Sequence, residues 1–174
     1  MTYLFPIATT SSVGVVQAGA NISIDAAGVI STTGGGSATI GTWVPTILVA
    51  SAGTITLLVE TARYAKIGQQ VICYFDITVA SCSLGANTNV LTMGGLPFTS
   101  IAGVGVVGSL VVSVFENLNV NQSYITGTIE GNSTLVQLYT IHNAASNSRL
   151  TYADVQVTPL PTRLVGTITY LSAS

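Results

Sequence analysis

Charge is what this sequence has least of. Its 174 residues include four basic side chains, Arg63, Lys66, Arg149 and Arg163, and six acidic ones. The net charge of -2 leaves no basic stripe to follow a phosphate backbone, which argues against nucleic acid as a partner. Glu and Lys, the residues that fill exposed helix faces, are nearly absent, so long surface helices are not expected. Long hydrophobic runs are missing too. A spanning helix takes about 20 mostly apolar residues. The best stretch, Ile101 to Phe115, is shorter and is interrupted by Gly103, Gly105 and Gly108. Membrane insertion is therefore not expected, although the mean hydropathy is high. The opening Met1-Thr2-Tyr3-Leu4-Phe5-Pro6 lacks both the basic residue and the apolar run of a secretion signal. Synthesis in a cytoplasm, without passage through a secretion channel, is the expectation.

Groups that carry chemistry are equally scarce. His142 is the sole histidine, and no Gly-x-Ser-x-Gly elbow accompanies it, so a Ser-His-Asp set has no sequence support. The carboxylates Asp25, Glu60, Asp76, Glu116, Glu130 and Asp154 are scattered. Glycoside hydrolysis needs two of them facing across a cleft. Asp76 and Glu130, on separate strands, are the pair to inspect, while a cross-strand charge pair of Glu130 with Arg149 explains the latter two as well. Cys73 and Cys82 lack the histidine or cysteine partners of a zinc site and read as buried thiols, with a disulfide left open. Gly34-Gly35-Gly36 is followed by no Lys-Ser/Thr and no helix, so it is not a phosphate cradle. No catalytic residue, metal ligand or cofactor is expected, and the chain does not read as an enzyme.

What is present is hydroxyl and strand-forming side chains. Ser and Thr together number 41, and Val, Ile, Thr and Tyr are abundant. A surface this poor in ions is covered by hydroxyls or buried against copies of itself. Val71 to Val79 alternates strictly: Val71, Cys73, Phe75, Ile77 and Val79 take one face, Ile72, Tyr74, Asp76 and Thr78 the other. Further strands are expected over 54–60, 101–115 (broken at its glycines), 124–130, 135–141, 150–157 and 164–171, with 63–70 as a bend between strands. About eight short strands at regular spacing indicate an all-β, jelly-roll-like antiparallel sandwich.

Residues 1–37 read as a separate arm. Tyr3, Leu4, Phe5, Pro6 and Ile7 form an apolar cluster suited to docking, the anchoring candidates. Asp25 to Gly28 reads as the turn of a hairpin, and Ser31 to Ser37 as a glycine linker. The sandwich domain then occupies 38–174. Trp43 is expected to pack beneath a sheet. Tyr124, Tyr139 and Tyr152, beside Asn- and Ser-rich loops, are the candidate ring platforms for a sugar.

Four segments give the domain a familiar look. Gly41-Thr42-Trp43-Val44-Pro45-Thr46, Arg63-Tyr64-Ala65-Lys66-Ile67-Gly68, Gly95-Leu96-Pro97-Phe98-Thr99-Ser100 and Gly166-Thr167-Ile168-Thr169-Tyr170 occur in the order found in bacteriophage fibre and related virion proteins. The domain resembles the C-terminal β-sandwich of that group. Val13 to Val16 and Ile24 to Ile30 resemble its shaft-to-head segments. The resemblance implies a homotrimer on the virion surface, made in the host bacterial cytoplasm. Its arm would anchor to a major capsid or other virion protein, with the sandwich facing outward. The short arm suits a decoration or short-fibre protein better than a long tail fibre. The alternative is a receptor-binding head that recognises host surface polysaccharide.

Overall fold

The strict alternation of Val71 to Val79 produces a strand with one wet and one dry face. In the computed structural model Val71, Cys73, Phe75, Ile77 and Val79 are buried, and Ile72 and Tyr74 are exposed. The structure describes residues 22–24, 30–32, 38–50, 53–83, 89–103, 105–118, 124–141, 147–155 and 160–173. The chain divides into two compact units, Met1–Ser37 and Ala38–Ser174. In the first, β1 (Ile22–Ile24) pairs antiparallel with β2 (Ile30–Thr32), Ile24 opposite Ile30. This is the expected hairpin. Its turn, the cluster Tyr3, Leu4, Phe5, Pro6 and Ile7, and the three glycines of the linker lie outside the described residues.

The second unit is all-β and antiparallel. Its described strands are β3 (Thr39–Thr42), β4 (Thr46–Val49), β5 (Thr54–Ile67), β6 (Gln70–Ser83), β7 (Leu91–Gly94), β8 (Val106–Glu116), β9 (Tyr124–Glu130), β10 (Val136–Ile141), β11 (Ser148–Arg149) and β12 (Arg163–Leu171). They form one sheet in the order β3-β5-β6-β12-β8-β9-β10-β7-β4, and β11 shares with β7 the outer edge of β10. The two ends of this order, β3 and β4, are joined by only Trp43, Val44 and Pro45. Laid flat, nine strands would separate those ends by about 38 Å. The connector reaches about 15 Å at most. The sheet therefore curls until β4 lies against β5, enclosing a core in the manner of a sandwich. Phe75, Leu110, Ile125, Ile129, Ile168 and Met93 fill its centre.

Several segments differ from expectation, among them Thr39–Thr42, Thr46–Val49 and Ser148–Arg149, which are strands not foreseen from the sequence. Residues 63–67 continue β5 instead of bending, and the reversal is confined to Gly68 and Gln69, with Gly68 at φ 59°. Leu91–Gly94 forms a short strand, β7. Of the stretch 150–157, residues 150–155 are described and form no strand: Asp154 Oδ2 accepts from Thr151 N at 2.7 Å and from Thr151 Oγ1 at 2.8 Å, which folds Tyr152–Asp154 into a 3-10 turn. A side-chain carboxylate here outcompetes the ladder for a backbone donor.

The four motif segments meet at one corner. Gly41 pairs with Tyr64, and a Cβ at Gly41 would lie 2.7 Å from the Tyr64 hydroxyl. The Tyr64 ring meets Phe98 edge-on at 5.2 Å, and Lys66 Nζ lies 4.6 Å from the centroid of the same Phe98 ring. From β12, the buried Tyr170 hydroxyl donates to Phe98 O at 2.9 Å and accepts from Phe98 N at 3.2 Å. Gly95 turns the chain at φ 84°, where a Cβ would stand 2.0 Å from Val44 O. Trp43 is buried as expected, with Nε1 donating to Tyr74 O at 3.1 Å and its ring edge-on to Phe75 at 6.4 Å.

Tyr170→Phe keeps the packing of this corner and removes both hydroxyl bonds. It is expected to cost about 1–3 kcal/mol, because Phe98 N–H and C=O lose their side-chain partner at once. Chemical denaturation of the variant beside the parent measures this; a loss below about 0.5 kcal/mol would mean the corner is held by packing alone.

Candidate functional site

The outward residues of the sheet form rows that cross several strands. One row runs Ile40, Ala65, Ile72, Thr169, Ser109, Thr128, Gln137. The next runs Thr42, Arg63, Tyr74, Thr167, Val111, Thr126, Tyr139, Arg149. A third brings Asp76, Val165 and Val114 together. Strand pleating fixes this arrangement once Cys73, Phe75, Ile168, Leu110, Ile125 and Leu138 are committed to the core.

Two regions of the outer face differ in chemistry. Over β3, β5, β6, β12 and β8 it is apolar and hydroxyl-bearing. Ile40 is 76% exposed, and Ile72, Tyr74, Val111 and Val114 are 41–50% exposed. Ile40, Gly41, Thr42, Arg63 and Tyr64 line an open depression of about 490 Å³ along its β3 edge. Charge is sparse in this region. Arg63 stands within one row, between Thr42 and Tyr74. At one end Arg163 forks onto Asp76, Nε to Oδ1 at 3.0 Å and Nη2 to Oδ2 at 2.8 Å, with Glu116 Oε1 3.6 Å from Nη1. The fork holds the Asp76 carboxyl below the usual carboxylate range and raises the guanidinium in return.

Over β7, β9, β10 and β11 the outer face is polar and recessed. Thr92, Glu130, Ser133, Leu135, Gln137 and Arg149 line a recess of about 320 Å³. Gln137 is its hinge: Nε2 donates to Glu130 Oε1 at 2.9 Å, while Oε1 accepts from Tyr139 Oη at 2.8 Å and from Arg149 Nη1 at 3.2 Å. The reverse amide orientation would set its NH₂ group against a guanidinium, so the network fixes this one. Arg149 Nη2 reaches Thr92 Oγ1 at 3.3 Å, and the guanidinium carbon lies 5.3 Å from the Tyr139 ring centroid. Arg149 Nε is buried without a hydrogen-bond partner. Leaving such a donor unpaired costs about 1–3 kcal/mol.

The candidate sugar platforms are thus spread apart. Tyr124 is exposed at the start of β9, opposite Ile141. Tyr139 is half-buried beneath Arg149, with its hydroxyl bonded to Gln137. Tyr152 is buried beside Cys82, which leaves its ring no open face; burial is the main cause that raises its phenol, with the Cys82 thiol adding to it. Glu130 and Arg149 do fall in one network, yet through Gln137 and not as a direct pair. Nothing in the sequence marks Gln137, since its role depends on which strands flank β10. Asp76 is taken up by Arg163, with β12 and β8 between it and β9, which ends in Glu130. Cys73 and Cys82 are free thiols, and burial pushes Cys73 up to about 12. Among the described residues no three acidic, cysteine or histidine side chains gather as a metal site. His142 and most of the Asn- and Ser-rich loop residues lie outside the described residues.

No protein-family profile matches this sequence, and no curated protein matches it either. Among solved structures, the chain is similar to the Dettilon tailspike protein, with a TM-score of 0.62 over 78% of this chain at 14% identity. It spans 24% of the length of that protein. The likeness shows a fold shared over that part of the chain.

Proposed function

We propose that this chain is a structural virion protein of a bacteriophage, a homotrimeric decoration or short-fibre protein with no catalytic role. The carrying observation is the outer face over β5, β6, β12 and β8. A monomer would leave Ile72, Tyr74, Val111 and Val114 in water on a chain with few charges to keep it dispersed. Three copies with these faces turned toward a common axis bury them, at roughly 25 cal/mol per Å² of apolar surface. The fold shared with part of a tailspike supports a place on the particle surface. In this reading the 1–37 unit attaches the domain to a capsid or other virion protein, through Tyr3, Leu4, Phe5, Pro6 and Ile7. Synthesis takes place in the host cytoplasm.

Light scattering of the purified full chain at micromolar concentration is expected to give three chain masses. A chain lacking residues 1–31 is expected to keep its melting transition and to lose attachment to particles. A stable single subunit in dilute buffer removes the trimer, and normal attachment of the truncated chain removes the anchor. The second reading, a receptor-binding head for host surface glycans, is favoured by the polar recess.

A further inference from the structure

We infer that the recess between β7, β9, β10 and β11 is a binding site for a saccharide unit that bears a single carboxylate, such as a hexuronic acid. This rests on the receptor-binding reading and names its ligand class. The anchor is Arg149. Of the basic side chains, Arg163 has two carboxylates, Lys66 caps Phe98 and Arg63 stands in solvent. Arg149 alone is a half-buried cation held only by neutral acceptors: Gln137 Oε1, Thr92 Oγ1 and, at 3.5 Å, Leu91 O. Among the described residues no carboxylate lies within ion-pair distance of it. Such a cation, packed on the Tyr139 ring and lining an open recess, is completed by an anion from outside, and its remaining Nη1 hydrogen suits a carboxylate oxygen.

The remaining lining decides what else that ligand carries. Thr92 and Ser133 offer hydroxyls, Gln137 an amide and Glu130 a carboxylate, while Leu135 is the one apolar side chain. A peptide side chain would find little apolar contact here. A sugar ring, apolar on its faces and hydroxylated at its rim, fits the set. A volume of about 320 Å³ lies at the small end of ligand sites and holds one ring. Orientation follows from charge. The carboxylate sits at the Arg149 end. Glu130 spends Oε1 on Gln137 and keeps its other oxygen for a ring hydroxyl, so a second acid group at that end is repelled.

Methyl uronosides of several hexoses, each paired with the neutral methyl hexoside of the same stereochemistry, test this by calorimetric titration of the full chain at low ionic strength. At least one uronoside is expected to bind tenfold or more tighter than its neutral twin. Arg149→Gln is expected to abolish the difference, and Thr92→Val to weaken uronoside binding several-fold. Should Arg149→Gln fail to fold, Arg149→Lys keeps the charge without the planar guanidinium and is expected to show an intermediate loss. Equal affinity for the members of every pair overturns the acidic ligand class while leaving a glycan receptor in place. Uronoside affinity untouched by the folded Arg149 variant and by Thr92→Val overturns the recess as its site. No binding of any member at millimolar concentration overturns the inference, and loss of whole-polysaccharide binding in the same assay would remove the receptor reading with it.

Discussion

Val111→Asp is expected to release single, folded subunits from the proposed trimer. Val111 lies mid-row between Thr167 and Thr126, half exposed, with Tyr74 one strand beyond Thr167. In a lone subunit the new carboxylate reaches water, and a surface change of this kind stays within about 0.5 kcal/mol. In the proposed assembly it enters an apolar contact, with Arg63 of the same subunit three strands away along the row. A buried, unpaired charge costs about 3–5 kcal/mol. That is a factor of more than about a hundred in dissociation for each chain. Light scattering should fall from three chain masses to one while circular dichroism keeps the β-sheet spectrum of the folded domain. If the variant keeps the mass of the parent, subunits meet through a different surface.

Phe75→Ala is expected to cost about 3–5 kcal/mol, a large share of the roughly 5–15 kcal/mol that holds a domain folded. Phe75 is fully buried on β6, edge-on to Trp43, and it lies directly under Gly166 of β12, where a Cβ would meet its Cζ at 2.8 Å. The central strand carries no side chain at Gly166, and Phe75 occupies the space. Truncation opens a cavity that close-packed strands on both sides fill only in part. Thermal unfolding followed by circular dichroism measures the loss. Ile67→Ala, at an exposed position, is the control and should stay within about 0.5 kcal/mol. A loss below about 1 kcal/mol for Phe75→Ala would place the core elsewhere.

Much of this fold is legible where the signal is local. The alternation of Val71 to Val79 is a statement about adjacent residues, and burial follows it. The β1–β2 hairpin needs only a turn and two short flanks, and it too forms. The motif segments announce themselves one by one, but the sequence does not say that Gly41, Tyr64, Lys66, Phe98 and Tyr170 form a single corner, because they lie up to 129 positions apart. The stretch 150–157 has strand-like composition, and one carboxylate, Asp154, overrides it. The recess is harder still to foresee. Gln137 joins Glu130 to Arg149 only because β10 is flanked by β9 on one edge and by β7 and β11 on the other. Strand order is non-local, and no window of residues carries it.

The position of β12 has a consequence for how the domain comes into being. Arg163–Leu171, translated after every other described strand, lies mid-sheet between β6 and β8. Until the ribosome has delivered it, the β5–β6 hairpin and the β8–β9–β10 meander each wait with an open edge and no common partner. Closure of the sheet therefore waits for this late segment, which has to enter between two halves translated before it. Such long-range pairing is slow, and those waiting edges are where two incomplete chains are most able to capture each other's strands.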